Sequence, residues 1–128
     1  DFSAVIYESY KDRGMALEAA QAFEMATRAL GVENAPWGIY VGTMDGKPVA
    51  TNLAFDGGGV TGLFCIATLP DYRGRGIGAA VTLAPLYEVD AAAQYAVLFS
   101  SKSGKPVYER VGFREVGINI GRYVWYAG

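Results

Sequence analysis

The sequence predicts a mixed α/β domain in which helices flank a single sheet. Three observations lead to this prediction: an amphipathic helical pattern near the start, three strand-like segments joined by glycine turns, and a strand–helix–strand unit after them. The chain has 128 residues, which is the length of one domain and too short for two. We therefore expect residues 1–128 to form one domain, and the abrupt start at Asp1 leaves open that they are a fragment of a longer chain.

The first half of the chain predicts one helix and three antiparallel strands. Polar residues recur every three or four positions over 16–30, with apolar residues between them, and a glycine follows directly. Segments 37–44 and 47–55 are rich in β-branched and aromatic residues and flank Asp45-Gly46, a pair that favours a type I′ hairpin turn. A second glycine turn leads to 60–69, a continuous apolar run typical of a strand covered on both faces.

A crossover follows the third strand. Pro70 ends that strand, and a helical apolar pattern over 76–93 contains Pro85, which predicts a kink or an early end of this second helix. Residues 95–100 are expected to form another buried strand. A strand–helix–strand unit of this length implies that the new strand lies parallel to strand 60–69.

The last quarter of the chain predicts a short helix and one or two terminal strands. Ser103 is a suitable N-cap, Pro106 fits the first turn and Gly112 fits the end of the helix. Residues 114–126 then have the composition of strands. The expected fold is a central mixed sheet, with antiparallel strands first and a parallel pair second, flanked by helices.

Composition excludes several classes of function. Eleven Lys and Arg against thirteen Asp and Glu give a net charge of −2, so we expect no general attraction to nucleic acid or to an anionic membrane. The chain has no His and one Cys, Cys65, which excludes an internal disulfide, a Cys/His zinc site and an imidazole triad. Cys65 itself is expected in the core. No apolar run approaches the roughly 20 residues of a membrane helix and the first residues do not resemble a signal peptide, so we expect a cytoplasmic protein.

The segment that points to chemistry is the glycine loop at 70–78, which joins the central strand to the second predicted helix. Seven of the chain's 17 glycines lie within residues 57–78, and three of them occupy alternate positions in this loop. A helix N-terminus presents unpaired N–H groups and a partial positive charge, so glycines there let phosphate oxygens approach the main chain. Arg73 and Arg75 add charge-assisted contacts. We expect this loop to bind the pyrophosphate of a nucleotide-like cofactor.

Three other interpretations of the loop fit the residues less well. A plain tight turn with solvated arginines explains an isolated Gly-x-Gly, but not three alternate glycines with two interleaved arginines before a helix. The Gly-Lys-Pro segments at 46–48 and 104–106 lack the other residues of a P-loop. A dinucleotide-binding fold also fits only in part. Residues 74–79 match its Gly-x-Gly-x-x-Ala motif, but residues 70–73 separate this motif from the strand. That fold also needs an acidic residue at the end of the next strand, where residues 100 and 101 are serines.

Two segments together resemble the GNAT acetyltransferase superfamily. Residues 70–78 are similar to the family's acyl-CoA loop, Gln/Arg-x-x-Gly-x-Gly/Ala, whose defined positions are met by Arg73, Gly76 and Gly78. Residues 107–113, Val-Tyr-Glu-Arg-Val-Gly-Phe, resemble the second hallmark, a short helix reading Leu-Tyr-x-x-Leu-Gly-Phe. The resemblance covers about residues 37–117, and it implies a sheet whose parallel pair splays apart to admit the cofactor, in agreement with the strand order predicted above.

The resemblance implies a role for each matching residue. The loop would hold the pyrophosphate of acetyl-CoA through main-chain groups of Arg73, Gly74, Arg75, Gly76, Ile77 and Gly78. The edge of the central strand would hydrogen-bond the pantetheine arm at Ile66, Ala67 and Thr68. Tyr108 would be the general acid that protonates the departing thiolate, although nine tyrosines in the chain make simple packing the alternative. Ser101 and Ser103 stand where relatives often carry an Asn, and Ser103 is expected to make the cofactor contact there.

The acceptor amine requires a base that the sequence does not identify. A lysine-like amine has a pKa near 10.4 and must lose a proton before it attacks. Relatives often place a Glu on the central strand, and Gly62 stands at the matching position. A water chain, the substrate itself and a residue not yet placed are the open alternatives, because the nearest acids in sequence are more simply solvated helix residues: Glu88, Asp90 and Glu109.

The resemblance implies an N-acyltransferase that transfers an acetyl group directly from acetyl-CoA to a primary amine, on a small molecule or a peptide. The alternative is a GNAT-like module that binds acyl-CoA as a sensor or regulatory domain without turnover, and the missing strand carboxylate keeps this alternative open. No residue identifies the acceptor. Three aromatic residues near the end of the chain are expected to pack in the terminal strands, with an acceptor pocket or a homodimer seam as alternatives: Tyr123, Trp125 and Tyr126.

Overall fold

A computed structural model describes residues 2–13, 17–30, 37–88 and 94–117. They form the expected mixed α/β arrangement, a sheet with helices packed on it. In chain order the helices and strands are α1 (Phe2–Tyr10), α2 (Leu17–Leu30), β1 (Trp37–Met44), β2 (Lys47–Gly57), β3 (Val60–Thr68), α3 (Ile77–Glu88), β4 (Tyr95–Leu98) and α4 (Lys105–Arg110).

The sheet has the order β1-β2-β3-β4, with the first three strands antiparallel and β4 parallel to β3. Asp45 and Gly46 connect β1 to β2, and both have a positive φ, 50° and 76°, as a type I′ turn requires. The connection from β3 to β4 runs through α3. The structure therefore confirms the predicted fold class, the hairpin and the parallel pair. The prediction of a buried strand over 95–100 was wrong in its length and burial, because β4 ends at Leu98 and Tyr95 and Val97 are exposed at this last strand of the described sheet.

The strands β3 and β4 pair only over the first part of β3. Their ladder joins residues 60–63 to Tyr95–Leu98. Beyond that point β3 continues to Thr68, and in the described part of the chain no strand pairs with its free side. Directly after the ladder the β2–β3 register shifts and Cys65 adopts a φ of +51°, the mark of a β-bulge. The parallel pair therefore opens toward the carboxyl end of β3.

The helix α1 is an element that the sequence did not predict. Its buried residues Phe2, Val5, Ile6 and Ser9 follow the i, i+3, i+4, i+7 spacing of an amphipathic helix. It has only nine residues, which is shorter than the roughly 11–18 residues over which such periodicity is judged. Phe2 and Ile6 pack with Ala67 of β3 in a core cluster. This packing brings the end of α1 beside the free part of β3.

The helix α3 also packs on β1, β2 and β3, and it passes through Pro85 without ending. The predicted early end was wrong, since the described helix continues to Glu88. A proline has no N–H to give the carbonyl four residues earlier, which here belongs to Val81. The buried side chain of Asn52 on β2 supplies the replacement, because its Nδ2 donates to the Val81 carbonyl over 2.9 Å. This bond ties α3 to the sheet.

The last described residues differ from the prediction in two respects. The helix α4 is capped at Gly104 and not at Ser103, and Ser101 Oγ accepts a hydrogen bond from the Gly104 N–H over 3.1 Å. Residues 114–117 have no regular structure, so the strand predicted over 114–126 is wrong for these four residues. The rest of that predicted strand, with its three aromatic residues, lies outside the described residues. The end of the second predicted helix, at 89–93, also lies outside them. None of the described helices combines the length and the apolar character needed to cross a membrane.

Candidate functional site

Beside the free part of β3 lies a cavity of about 600 Å³. Its walls come from the carboxyl end of β3, the loop before α3, the end of α1 and the segment that contains α4. Nine of the eleven residues that the sequence predicts for the site line this cavity, and the two that do not are Arg75 and Ile77. The fold thus brings residues 66–68, the glycine loop, Ser103 and Tyr108 together.

The loop before α3 turns its backbone toward open space. Gly74 and Gly76 have φ values of +73° and +80°, and a Cβ built on either would meet no atom within 4 Å. In the described part of the chain the N–H groups of residues 74–79 form no backbone hydrogen bond, and the first bond of α3 runs from the Ala80 N–H to the Gly76 carbonyl. These free amides, at the positive end of a 12-residue helix, favour an anion.

The two loop arginines have different surroundings. Arg73 lines the cavity, and its Nε donates to the Thr68 carbonyl over 3.0 Å while its Nη2 donates to the Ser9 carbonyl over 3.4 Å. These bonds join the end of β3 and the end of α1 to the loop. The Arg75 guanidinium lies 5.4 Å from the centroid of the Tyr72 ring, and Arg75 is not among the cavity's lining residues. The expected phosphate contact of Arg75 therefore requires its side chain to leave that ring.

Seven further residues line the cavity that the sequence did not predict as site residues, and three of them have side chains that could act on a ligand: Arg110, Ser9 and Tyr10. Arg110 is the last residue of α4 and lies three positions after Val107, which also lines the cavity. Residues at this i, i+3 spacing share a face of a helix, and this spacing could have indicated that Arg110 lines the cavity. Ser9 and Tyr10 end α1, so they were missed together with that helix. The Ser9 hydroxyl is buried and has no hydrogen-bond partner in the described part of the chain, which leaves it available to a ligand.

Two hydroxyl groups hold the bulge of β3. Tyr10 Oη donates to the Ile66 carbonyl over 2.8 Å, and Thr51 Oγ1 donates to the Cys65 carbonyl over 2.9 Å. The Cys65 side chain packs against the core cluster, as expected. Burial raises the pKa of its thiol, so Cys65 stays protonated at neutral pH and is a poor nucleophile.

The other predicted contacts lie around the bulge and before α4. Residues 66–68 follow the bulge directly. Gly78 lies beside the strand, since a Cβ built on it would be 3.5 Å from Thr68 Oγ1. Ser103 lines the cavity, and its Oγ lies 3.3 Å from the Ser101 Oγ. The strand edge, the start of α3 and the serine pair therefore face one space.

Tyr108 lies on α4 with its ring partly enclosed. The ring meets that of Phe113 edge to face at a centroid distance of 6.3 Å, and a Cβ on Gly104 would lie 2.8 Å from its Cε2 atom. Burial, and to a smaller extent the charge of Tyr10, raises the pKa of the Tyr108 hydroxyl. The hydroxyl therefore keeps its proton at neutral pH and can donate it. Packing and an acid role are compatible for this residue.

A second cavity, of about 270 Å³, shares four lining residues with the first: Tyr10, Ile66, Ser101 and Tyr108. Its other lining residues are apolar or weakly polar: Leu63, Phe64, Cys65 and Phe99. The ring of Phe64 lies over Gly62, where a Cβ would come within 2.7 Å of the ring's Cε2 atom. The position at which the resemblance places a Glu in relatives is therefore covered by an aromatic ring.

Of the acids considered as bases, Glu88 and Glu109 line neither cavity. Glu88 accepts a hydrogen bond from Tyr40 Oη over 2.9 Å, and burial together with this contact raises the pKa of Tyr40 to about 12. Glu109 lies 3.9 Å from the Lys105 ammonium on the same helix. Asp90 lies outside the described residues. Among the described lining residues of the two cavities there is no Asp or Glu.

Comparison with known proteins identifies relatives in sequence and in fold. A sequence profile described as the acetyltransferase (GNAT) domain matches residues 35–115. No curated protein matches the sequence at a significant level.

Several solved structures share the fold. Glucosamine-6-phosphate N-acetyltransferase from Arabidopsis thaliana is 18% identical, with a TM-score of 0.65 over 86% of this chain and 80% of that one. A predicted acetyltransferase from Clostridium acetobutylicum, solved with acetyl-CoA, is 16% identical, with a TM-score of 0.66 over 95% and 87%. AAC(6')-Iy, solved with the bisubstrate analogue CoA-S-monomethyl-acetylneamine, is 16% identical, with a TM-score of 0.71 over 99% and 88%. At these identities the likeness shows a common fold alone.

Proposed function

Because the chain belongs to the GNAT acetyltransferase family, we propose that it transfers an acetyl group from acetyl-CoA directly to a primary amine. The observation that carries the proposal is the glycine loop: within the described part of the chain the N–H groups of residues 74–79 have no backbone partner, and four of these residues line an open cavity beside the free part of β3, namely Gly74, Gly76, Gly78 and Ala79. A cosubstrate with a pyrophosphate and a long uncharged arm fits a donor-rich helix end next to a strand edge. The smaller cavity then receives the amine of a small molecule or a peptide.

In this proposal the larger cavity binds acetyl-CoA. The pyrophosphate docks on main-chain groups of the loop: Arg73, Gly74, Arg75, Gly76, Ile77 and Gly78. Arg73 and Arg110 line the same cavity and supply positive charge. The pantetheine arm lies along β3 at Ile66, Ala67 and Thr68, and Ser103 contributes a hydroxyl. The backbone contacts of Arg75 and Ile77 are proposed from their place within the loop, since neither residue lines the cavity.

The proposed reaction moves one proton from nitrogen to sulfur. The neutral amine nitrogen attacks the thioester carbonyl carbon, the C–N bond forms, the C–S bond breaks, and the thiolate gains a proton while the nitrogen loses one. Tyr108 lines both cavities and holds its proton at neutral pH, so it is the donor to sulfur. A positioned general acid contributes about 10²–10⁴-fold in rate. Proximity of amine and thioester contributes further.

Thermal unfolding tests the binding half of the proposal. A ligand of the folded state at about 100 times its dissociation constant adds about 2.7 kcal/mol, which raises the Tm of a domain of this size by roughly 10 °C. Gly76→Glu puts a carboxylate where the pyrophosphate docks, so the shift should disappear. Gly46→Glu is the matched control, because Gly46 has a similar φ of +76° and an equally open Cβ position. A wild-type Tm that does not respond to acetyl-CoA contradicts the proposal.

Release of the CoA thiol over a panel of primary amines tests the transfer half. We expect release that depends on the amine, with the acetylated amine as the product by mass spectrometry. A clear Tm shift with acetyl-CoA but no release with any amine would favour the alternative function, a module that binds acyl-CoA without turnover.

A further inference from the structure

The smaller cavity limits which amines the proposed transfer can use. We infer that the acceptor is a weakly basic amine, largely neutral at pH 7, that carries an aromatic or similarly apolar group. This inference rests on the proposed function, since it concerns the second substrate of the same site. It follows from the titratable groups, the rings and the proton balance of the two cavities.

The described lining of the two cavities offers no group that can take a proton from an ammonium ion. It contains no carboxylate, and the chain has no histidine. Its charged side chains are both arginines, Arg73 and Arg110. Tyr10 Oη donates its hydrogen bond to the Ile66 carbonyl, and burial raises the pKa of Cys65 and of Tyr108, so these two groups keep their protons at neutral pH. An ammonium ion in this site would thus find neither a counter-charge nor a base among these residues.

On β3, an aromatic ring occupies the position from which a carboxylate could reach the smaller cavity. Gly62 and Phe64 are two positions apart on the strand and face the same side. The Phe64 ring occupies the space that a side chain on Gly62 would need. Phe64 lines the smaller cavity and is 41% exposed, so its ring offers a face to a substrate.

A neutral amine removes the need for a base. The nitrogen attacks with its lone pair, Tyr108 gives its proton to the departing sulfur, and the proton that leaves nitrogen restores the Tyr108 hydroxyl. A lysine-like amine with a pKa near 10.4 is neutral in roughly one molecule in 2,500 at pH 7, whereas an α-amine with a pKa near 8 is neutral in about one in ten. The site therefore favours the second kind of amine.

The rings around the smaller cavity favour an aromatic group on the acceptor. Four aromatic rings line the smaller cavity: Tyr10, Phe64, Phe99 and Tyr108. Aromatic side chains gain from edge-to-face or offset stacking with another ring, in addition to the area that they bury. An amine that carries a phenyl-sized group would use this gain, and a small polar amine would not.

Two matched amines test the inference. Phenylalaninamide and 2-phenylethylamine share the ring and the chain, and differ by a carboxamide that lowers the basicity of the amine. With acetyl-CoA at saturation, CoA release at pH 7 should give a kcat/KM about tenfold or more higher for phenylalaninamide. Its profile should level off near pH 8, while that of 2-phenylethylamine should still rise about tenfold per pH unit. Glycinamide, weakly basic but without a ring, should be the poorer substrate of the two weak bases.

A pair of variants tests the missing base directly. Phe64→Glu adds a carboxylate to the smaller cavity and should raise the rate for 2-phenylethylamine relative to phenylalaninamide by about tenfold or more. Phe64→Gln removes the ring without adding a base and should leave that ratio low. If wild-type protein uses 2-phenylethylamine as well as phenylalaninamide at pH 7, or if both variants give the same ratio, the inference is wrong and the proposed function stands. Absence of release with every amine overturns the proposed function and the inference with it.

Discussion

The larger and the smaller cavity are lined by different kinds of residues. The larger one presents backbone N–H groups of residues 74–79 and the guanidinium groups of Arg73 and Arg110. The smaller one is lined by Leu63 and Cys65 and by four aromatic residues, Tyr10, Phe64, Phe99 and Tyr108, and holds no charged side chain among its described lining residues. A backbone-built site depends on local conformation, whereas a site built from side chains depends on which residues the fold brings together. Substitutions in the two cavities should therefore affect different substrates.

The largest effect is expected at Tyr108, which lines both cavities. Tyr108→Phe keeps the ring against Gly104 and Phe113 but removes the proton donor, so kcat should fall about 10²–10⁴-fold while the Kd for acetyl-CoA and the Tm change little. In the wild-type protein the pKa of the Tyr108 hydroxyl is raised, so this hydroxyl stays protonated beyond the usual range of a tyrosine. The fall of kcat at alkaline pH should therefore lie above about pH 10. An unchanged kcat in the variant would mean that Tyr108 only packs against its neighbours and is not the acid.

A smaller effect is expected at Arg110, and it should be confined to the larger cavity. Arg110→Gln removes a charged hydrogen-bond donor, worth about 1.5–3 kcal/mol, so the Kd for acetyl-CoA should rise about 10- to 100-fold. Arg114→Gln is the control, since Arg114 is exposed and does not line the cavity. Titration calorimetry with acetyl-CoA measures both. Equal affinities in the two variants would exclude Arg110 from the cosubstrate site.

Phe64 should affect the acceptor and not the cosubstrate. Phe64→Ala removes a half-exposed ring, with a loss of about 1.5 kcal/mol, so the KM for an aromatic amine should rise about tenfold. The Kd for acetyl-CoA should stay near its wild-type value. Phe55→Ala is a matched control, because Phe55 is 47% exposed and lines neither cavity. A larger change for acetyl-CoA than for the amine would contradict the assignment of the two cavities.

The smallest effect is expected at Tyr10, which belongs to both cavities. Tyr10→Phe removes the hydrogen bond to the Ile66 carbonyl, worth about 0.5–1.5 kcal/mol, and should change the Kd for acetyl-CoA and the KM for the amine by less than about tenfold each. Tyr7→Phe on the same helix is the control, since Tyr7 packs on the core and lines neither cavity. If Tyr10→Phe lowers only the Tm, α1 supports the sheet without acting on either substrate.

Local signals in the sequence predicted most of the fold. The Asp45-Gly46 turn and the strand–helix–strand unit depend on neighbouring residues, and both have the expected form. The helix α1 was missed because nine residues carry too little periodicity. The early end at Pro85 was wrong because the residue that compensates for it, Asn52, lies 29 positions away from its partner Val81. Local propensity contains no information about that contact.

The same distinction applies to the site. Residues 73–78 are contiguous, so a motif reveals them, and Tyr108 has a motif of its own. Tyr10 and Ile66 are 56 positions apart, and only the packing of α1 on β3 brings them together. The aromatic lining of the smaller cavity has the same origin. The organisation of 1–128 as one domain, the cytoplasmic location and a homodimer stay predictions.

Pro85 and Asn52 restrict the order in which evolution could replace them. Asn52→Leu alone would leave the buried Val81 carbonyl without a donor, at a cost of about 1–3 kcal/mol in the free energy of unfolding. Pro85→Ala restores an N–H four residues after Val81, so the same leucine should cost less in that background, and a double-mutant cycle in thermal unfolding measures the difference. If the cycle shows this coupling, a lineage can lose the asparagine easily only after it has lost the proline.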